Sequence, residues 1–142
     1  MKAYVDTSLL VSLYSPDANT AAAVETMQAS AERVLTPFGE LEAVNAFGLR
    51  VFRKEISVAQ AQASLDHFRN DLRDGVLQLR PLPEHCFERA LELSRQTTAR
   101  LGTRTADILH VAAALELEVD SFYSFDLQQR KLAKVLHLKL AP

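Results

Sequence analysis

The chain has 142 residues, 48% of them hydrophobic and 24% charged, which predicts one globular domain over residues 1–142 that needs no disulfide to fold. Its 16 basic and 18 acidic side chains give a formal net charge of −2, which excludes a nucleic-acid binder that works through bulk positive charge. A nuclease is not excluded, because acids that bind metal ions no longer contribute their negative charge. One cysteine, no signal-peptide pattern and no apolar run near the roughly 20 residues of a membrane span lead us to expect a cytoplasmic protein with no membrane partner.

Short apolar stretches alternate with helical patterns along the whole chain. Residues 2–5 predict a buried strand, and Thr7 or Ser8 is expected to cap the helix that continues to residue 14. The alanine-rich stretch 18–32 has neither Gly nor Pro and predicts a second helix. Further strands are predicted at 33–36, 76–79, 121–124 and 138–140, and further helices at 37–54, 57–73, 83–100, 103–117 (opening at Thr103 or Thr105) and 127–135. Short strands separated by helices predict an α/β fold with a parallel sheet covered on both faces.

Two aspartates follow predicted strands near opposite ends of the sequence. Asp6 comes directly after the strand at 2–5, and Asp126 comes just after the strand at 121–124. Open α/β sheets place their chemistry at the carboxyl ends of the strands. The sequence therefore predicts one acidic site that Asp6 and Asp126 share.

Two further acids lie near the starts of predicted helices. Asp107 lies in the first turns of an apolar, alanine-rich helix that is predicted to be buried, and a buried carboxylate is costly unless it is paired or binds a metal. The alternative for Asp107 is a favourable interaction with the helix dipole. Glu42 shares a mixed polar stripe of its helix with Arg53, which suits the edge of a cleft. Glu40 is the rival acid, and a solvated surface position is the alternative for both glutamates.

Clustered carboxylates are the ligands that hard divalent cations require. Mg²⁺ and Mn²⁺ prefer oxygen ligands, and such a cation lowers the pKa of water and stabilises charge on a transferring phosphoryl group. Ser124 lies two residues before Asp126 on the same strand face, so its hydroxyl could orient a water at this site. Simple backbone hydrogen bonding at the strand end is the alternative for Ser124.

Other chemistries fit the sequence less well. The four glycines are isolated, so there is no phosphate-binding loop. Cys86 lies in a helical pattern, and we expect it to be a buried core residue rather than a nucleophile. Asp107 and His110 have a spacing that could ligate a transition metal, but a hydrogen-bonded core histidine is the stronger interpretation of His110. No nucleophile-elbow motif supports a Ser–His–Asp triad.

The candidate acids lie in four short motifs: Tyr4-Val5-Asp6-Thr7-Ser8, Leu41-Glu42-Ala43-Val44-Asn45-Ala46, Thr103-Arg104-Thr105-Ala106-Asp107-Ile108-Leu109-His110 and Phe125-Asp126. In order and spacing these motifs resemble those of the PIN domain family, and within it the VapC-type toxin ribonucleases. The resemblance covers nearly the whole chain. It implies a three-layer α/β/α sandwich with a central, mainly parallel sheet.

The resemblance also implies an activity and a site. The activity is that of a Mg²⁺- or Mn²⁺-dependent endoribonuclease, the toxin of a type II toxin–antitoxin pair, whose cognate antitoxin binds a groove near the active site. A homodimer is implied as well. The metal-binding acids map to Asp6, Glu42, Asp107 and Asp126, with the hydroxyl of Ser124 assisting where many relatives carry threonine. The family motif favours Glu42 over Glu40, because the matching acid immediately precedes the Ala43-Val44-Asn45-Ala46 stretch.

RNA binding needs local positive charge around such an acidic centre. Arg50, Arg53, Arg104 and Lys131 are the candidates for phosphate contacts, and a salt bridge or a solvated surface charge is the alternative for each. Three rival functions remain open: a catalytically silent PIN-like domain that binds RNA or protein, a metal-dependent phosphatase or DNA nuclease with the same acids, and a small-molecule-binding domain whose acids lie apart.

Overall fold

A computed structural model describes all residues of the chain, 1–142, as five strands and seven helices. In chain order these are β1 (Lys2–Val5), α1 (Thr7–Tyr14), α2 (Thr20–Met27), β2 (Glu32–Leu35), α3 (Pro37–Phe52), α4 (Val58–Arg73), β3 (Gln78–Leu79), α5 (Cys86–Leu101), α6 (Thr105–Glu116), β4 (Ser121–Tyr123), α7 (Leu127–Val135) and β5 (Lys139–Ala141). None of the helices combines the length and the apolar character that a membrane crossing requires.

The strands form one parallel sheet in the order β3-β2-β1-β4-β5. The first strand is central: Tyr4 lies opposite Val34 of β2 on one side and Phe122 of β4 on the other. Side chains of a strand alternate between the two faces of its sheet. Ala3, Tyr4 and Val5 are buried, so both faces of β1 beyond Lys2 are covered, which explains why these three successive residues are apolar.

Helices cover both faces of the sheet. On one face Tyr4 and Phe122 pack in a hydrophobic cluster with residues of α5, α6 and α7. On the other, Ala3 and Val5 pack with residues of α1, α2, α3 and α4. The predicted α/β/α sandwich with a parallel central sheet is thereby confirmed.

The predicted helix at 18–32 is wrong in its extent, since α2 covers only Thr20–Met27. Two tertiary contacts override the helical propensity of the residues that follow. Glu32 pairs with Lys2 in the sheet, and the guanidinium of Arg33 donates hydrogen bonds to the carbonyl oxygens of Met27 and Ala29 at the end of the helix. Residues 28–31 therefore turn the chain from the helix into β2.

The prediction that Thr7 or Ser8 caps the first helix is also wrong. Asp6 is the N-cap of α1: its backbone is extended, and its carboxylate Oδ1 accepts a hydrogen bond from the backbone N–H of Leu9 at 3.0 Å. Aspartate caps helices as well as serine does. The residue that directly follows β1 therefore begins α1, and the hydroxyls of Thr7 and Ser8 bind other partners.

Candidate active site

Asp6 lies at the carboxyl end of the central strand, with none of its surface exposed to solvent. Besides the cap bond from Leu9, its carboxylate accepts a hydrogen bond from the Ser8 hydroxyl, at 2.7 Å to Oδ1 and 2.9 Å to Oδ2. The Ser124 hydroxyl donates to Oδ2 at 2.6 Å. Every contact of this carboxylate is thus with a neutral donor.

The charge of Asp6 has no cationic partner within the protein. No lysine or arginine forms an ion pair with Asp6, Asp107 or Asp126; the ion pairs of those side chains involve other acids. Burial raises the pKa of Asp6, and the hydrogen bonds from Ser124, Leu9 and Ser8 oppose that rise only in part. A buried carboxylate of this kind is stabilised by a cation that binds it.

Asp126 and Ser124 stand beside Asp6 at the end of the neighbouring strand, β4. Asp126 is the N-cap of α7, and its Oδ1 accepts hydrogen bonds from the backbone N–H groups of Gln128 and Gln129, both at 2.9 Å. The Ser124 hydroxyl accepts the backbone N–H of Asp126 at 2.9 Å and donates to Asp6. One hydroxyl therefore joins the two strand-end acids.

Asp107 joins the same edge of the sheet from the first turn of α6, where it is 9% exposed. Its Oδ1 accepts a hydrogen bond from the side-chain amide of Gln129 at 3.1 Å, and its Oδ2 accepts the backbone N–H of Arg104 at 3.4 Å. Gln129 is the site residue that the sequence analysis missed. Its position three residues after Asp126, on the first turn of the helix that Asp126 caps, is the signal that indicates it.

Glu42, on α3, contacts the residues next to this acidic edge rather than the other three acids. Its Oε1 accepts a hydrogen bond from the Thr7 hydroxyl at 2.7 Å and forms a second hydrogen bond with Nε2 of His110. Partial burial raises the pKa of Glu42, but the hydrogen bond and electrostatic interaction with His110, together with the hydrogen bond from Thr7, outweigh it, so the pKa lies below its ordinary value. The rival acid Glu40 lines a separate pocket on the α4 side, beside Arg69.

The donor set of this site suits a hard divalent cation. All four acids supply oxygen, and Asp6 and Asp107 are buried without a compensating positive charge. The side-chain carbonyl oxygen of Gln129 is buried without a hydrogen-bond partner next to Asp107, and a hydrated cation satisfies such an oxygen. As the side chains stand, however, no three Asp, Glu, His or Cys residues form a complete ligand set.

The arginines proposed as RNA contacts differ in the hydrogen bonds and ion pairs that they form within the protein. The guanidinium of Arg50 donates hydrogen bonds to the carbonyl and hydroxyl oxygens of Ser15, both at 2.9 Å, and pairs with Asp17 at 2.7 Å. Arg53 is exposed, makes no hydrogen bond or ion pair, and lines a pocket of about 340 Å³ that Ser8 also lines. Arg104 is exposed at the start of α6, and its guanidinium is equally free.

Comparison with solved structures places the fold among bacterial proteins of the same size. VapC20 of Mycobacterium tuberculosis, a toxin that cleaves the sarcin–ricin loop, is 17% identical with a TM-score of 0.70, covering 99% of this chain and 100% of that chain. VapBC2 of Rickettsia felis, bound to a DNA fragment from its promoter, is 16% identical with a TM-score of 0.70, covering 99% and 97%. FitAcB of Neisseria gonorrhoeae is 13% identical with a TM-score of 0.68, covering 99% and 96%. At these identities the likeness shows the fold alone.

The sequence motifs are matched at the level of the family. No curated protein matches the chain closely. The model of the PIN domain, by contrast, matches residues 3–135, a span that runs from β1 to the end of α7 and includes all four acids and Ser124. The resemblance inferred from the four motifs is therefore confirmed, and the chain belongs to the PIN domain family.

Proposed function

We propose that this chain is a metal-dependent endoribonuclease of the VapC type that hydrolyses RNA phosphodiester bonds and acts as the toxin of a toxin–antitoxin pair in the cytoplasm. The observation that carries the proposal is the buried carboxylate of Asp6, which has no cationic partner, at the carboxyl edge of the sheet. The Ser124 hydroxyl links it to the backbone of Asp126, and Asp107 is hydrogen-bonded to Gln129 of the helix that Asp126 caps. Family membership and the activity of VapC20 support the choice of RNA as substrate.

In this proposal Asp6, Glu42, Asp107 and Asp126 hold Mg²⁺ or Mn²⁺. Such an ion, when bound, neutralises charge on the transferring phosphoryl group and provides a nucleophile at neutral pH. Hydrogen bonds orient the strand-end acids before substrate arrives. The Leu9 N–H and the Ser124 hydroxyl hold the two oxygens of Asp6, and the N–H groups of Gln128 and Gln129 hold Oδ1 of Asp126. This preorganisation limits the rearrangement needed during the reaction.

RNA would approach across the exposed arginines that flank the acids. Arg53 lines its pocket together with Phe125 and Ser8, and the latter also hydrogen-bonds Asp6. A phosphate in that pocket would lie next to the acidic centre, and a guanidinium free of protein partners loses no ion pair when it binds phosphate. Arg104 offers a second such contact. Arg50 shapes the pocket wall through its pairing with Asp17 rather than offering a free charge.

Two apolar surfaces support the proposed protein partners. Between α3 and α4 runs a groove lined by Val44, Phe47, Val51, Val58 and Leu65, near the exposed Phe52. An amphipathic segment of a cognate antitoxin fits a groove of this kind. A second apolar pocket between α5 and α6, beside the exposed Phe87 and Leu91, supports the proposed homodimer.

The test is cleavage by the purified chain, free of any antitoxin, with Mn²⁺ or Mg²⁺ and with EDTA. We expect cleavage of RNA, none in EDTA, and a loss of roughly 100-fold or more in Asp6→Asn, because removal of a ligand charge costs several kcal/mol of transition-state stabilisation. Asp66→Asn, an exposed acid of α4, is the matched control and should cleave like the parent. Equal cleavage by Asp6→Asn and the parent would refute the site.

The rival functions give different results in the same experiment. Preferential cleavage of single-stranded DNA or of small phosphomonoesters would identify a DNA nuclease or a phosphatase built on the same acids. If calorimetric titration finds no Mn²⁺ binding that depends on Asp6, the chain is a catalytically silent domain that binds RNA or protein.

A further inference from the structure

His110 lies on α6 one turn after Asp107, and both of its ring nitrogens are hydrogen-bonded. The side chain is 1% exposed. Its Nδ1 lies 2.8 Å from the hydroxyl oxygen of Tyr4 on β1, and its Nε2 contacts Oε1 of Glu42 on α3. The imidazole therefore bridges the centre of the sheet and a proposed metal-binding acid.

The chemistry of Glu42 assigns one ring proton. A carboxylate only accepts hydrogen bonds, so Nε2 carries a proton that is donated to Glu42. On the opposite side of the ring, Nδ1 shares a hydrogen bond with the buried Tyr4 hydroxyl. His110 is therefore a donor to Glu42, and Tyr4 holds its other nitrogen.

The two carboxylate oxygens of Glu42 differ in the hydrogen bonds that they accept. Oε1 receives hydrogen bonds from His110 and from the Thr7 hydroxyl, whereas no protein group donates to Oε2. Two donors on one oxygen occupy its lone pairs and fix the rotation of the carboxylate. Only Oε2 then remains available to a ligand outside the protein.

Packing prevents the imidazole from leaving this position. The Phe38 ring lies 4.8 Å from the His110 ring, centroid to centroid, and the Tyr4 ring lies 5.8 Å away in an edge-on arrangement. Tyr4 is itself stacked on Phe122 at 5.4 Å. Aromatic contacts of this type add to the hydrogen bonds that orient the ring.

We propose that His110 is a positioning residue for Glu42: together with Tyr4 and Thr7 it selects the carboxylate oxygen that faces the divalent cation. The inference rests on the proposed function, since it takes Glu42 as a metal-binding acid. Hydrogen bonds to a ligating carboxylate typically change metal affinity or activity by about 10- to 100-fold. A histidine that only fills the core would change the stability of the fold and leave metal affinity unaffected.

The experiment compares His110→Leu, which removes the donor, with His110→Gln, whose side-chain amide can donate in place of Nε2. Calorimetric titration with Mn²⁺ and the Mn²⁺ dependence of RNA cleavage are the readouts, with thermal unfolding in EDTA measured alongside. We expect His110→Leu to weaken Mn²⁺ binding by about 10-fold and His110→Gln to recover most of the loss. In a Glu42→Gln background, His110→Leu should cause no further weakening of Mn²⁺ binding. The exposed His85→Leu is the matched control.

Thr7→Val provides a second variant that leaves the core intact, and it should weaken Mn²⁺ binding in the same direction by removing the other donor to Oε1. The proposal is overturned if the Mn²⁺ affinity of His110→Leu lies within two-fold of that of the parent. If His110→Leu does not fold, the same criterion applies to Thr7→Val. Failure of the proposed function is a separate result, because Asp6→Asn would then also leave Mn²⁺ binding unchanged.

Discussion

The Ser124 hydroxyl donates a 2.6 Å hydrogen bond to Asp6, although the two residues are 118 positions apart in the sequence. The same oxygen accepts the backbone N–H of Asp126. A single side-chain atom thus holds two acids of neighbouring strands in register. Because all three groups are buried or half-buried, each depends on the others for hydrogen bonds that solvent cannot supply.

Replacing Ser124 with alanine should therefore affect both stability and cleavage. Asp6 loses a donor and the N–H of Asp126 loses its acceptor, so we expect a loss of about 1–3 kcal/mol in the free energy of unfolding, measured by urea denaturation. RNA cleavage should fall by about 10-fold, since a carboxylate that has lost its hydrogen bond binds metal less well. Ser94→Ala, in α5, is the control. A variant with unchanged stability would show that the hydroxyl does not hold the two acids together.

Asp6→Asn should raise stability when no metal is present. The carboxylate is fully buried without a positive partner, so its neutralisation removes a desolvation cost while the cap and hydroxyl contacts remain available. In EDTA we expect the free energy of unfolding of the variant to exceed that of the parent by about 1–2 kcal/mol, measured by thermal or urea denaturation. With Mn²⁺ the order should reverse, because only the parent gains stability from binding. A variant that is less stable than the parent in EDTA would contradict this account of Asp6.

Arg53 and Arg50 should respond differently to substitution by alanine. Arg53 has no partner in the protein, so Arg53→Ala should leave the melting temperature unchanged, raise KM for RNA several-fold and reduce the salt dependence of binding by about one unit of slope. Arg50→Ala breaks the contacts with Ser15 and Asp17 and should lower the melting temperature. The exposed Arg73→Ala is the control for both. If Arg53→Ala leaves KM and the salt slope unaltered, RNA does not contact this pocket.

The pairing of Asp17 predicts a pH-dependent contribution to stability. Partial burial raises the pKa of Asp17, but hydrogen bonds from Arg50, the N–H of Asn19 and the Ser12 hydroxyl outweigh it, so the pKa lies below its ordinary 3.8. A lowered pKa contributes stability that is fully present above 3.8 and is lost as the pH falls through the folded-state value.

Urea denaturation of the parent and of Asp17→Asn at several pH values measures this contribution. The difference in unfolding free energy should be about 1–2 kcal/mol and constant from pH 7 to pH 5. It should shrink below about pH 4, because the unfolded parent then takes up a proton at Asp17 that the folded parent binds only at lower pH. Asp74→Asn, at an exposed ion pair, should show no comparable difference. A difference that persists unchanged to pH 3 would mean that the charge of Asp17 contributes nothing.

The sequence predicts the fold because its local signals agree with the tertiary structure. Apolar strands such as β1 alternate with helices, and parallel strands bring their carboxyl ends to one edge, so the proximity of Asp6 and Asp126 follows from topology. Agreement fails at residues 28–31. There the helical propensity of the segment competes with the pairing of Glu32 and the contacts of Arg33, which form only in the folded chain.

The contacts between side chains of separate elements lie beyond such reasoning. The sequence indicates that His110 is a buried, hydrogen-bonded histidine, and the structure agrees, but its partners Tyr4 and Glu42 come from other elements and depend on how α3 and α6 pack. Gln129 is similar, because its amide meets Asp107 only once α6 and α7 are adjacent. Assignment of the four acids as metal ligands stays a prediction.

The position of β1 in the sheet also determines when the site can form during synthesis. Its two neighbours enter the chain far apart, at Glu32–Leu35 and at Ser121–Tyr123. A nascent chain that ends before Ser121 has no β4, and therefore neither the hydroxyl that holds Asp6 nor the acid beside it. Because synthesis proceeds from the N-terminus and long-range pairing is the slow part of folding, the acids assemble only after nearly the whole polypeptide has left the ribosome. A chain that stops there carries three of the four family motifs but not the hydrogen bonds that link Asp6 to Asp126.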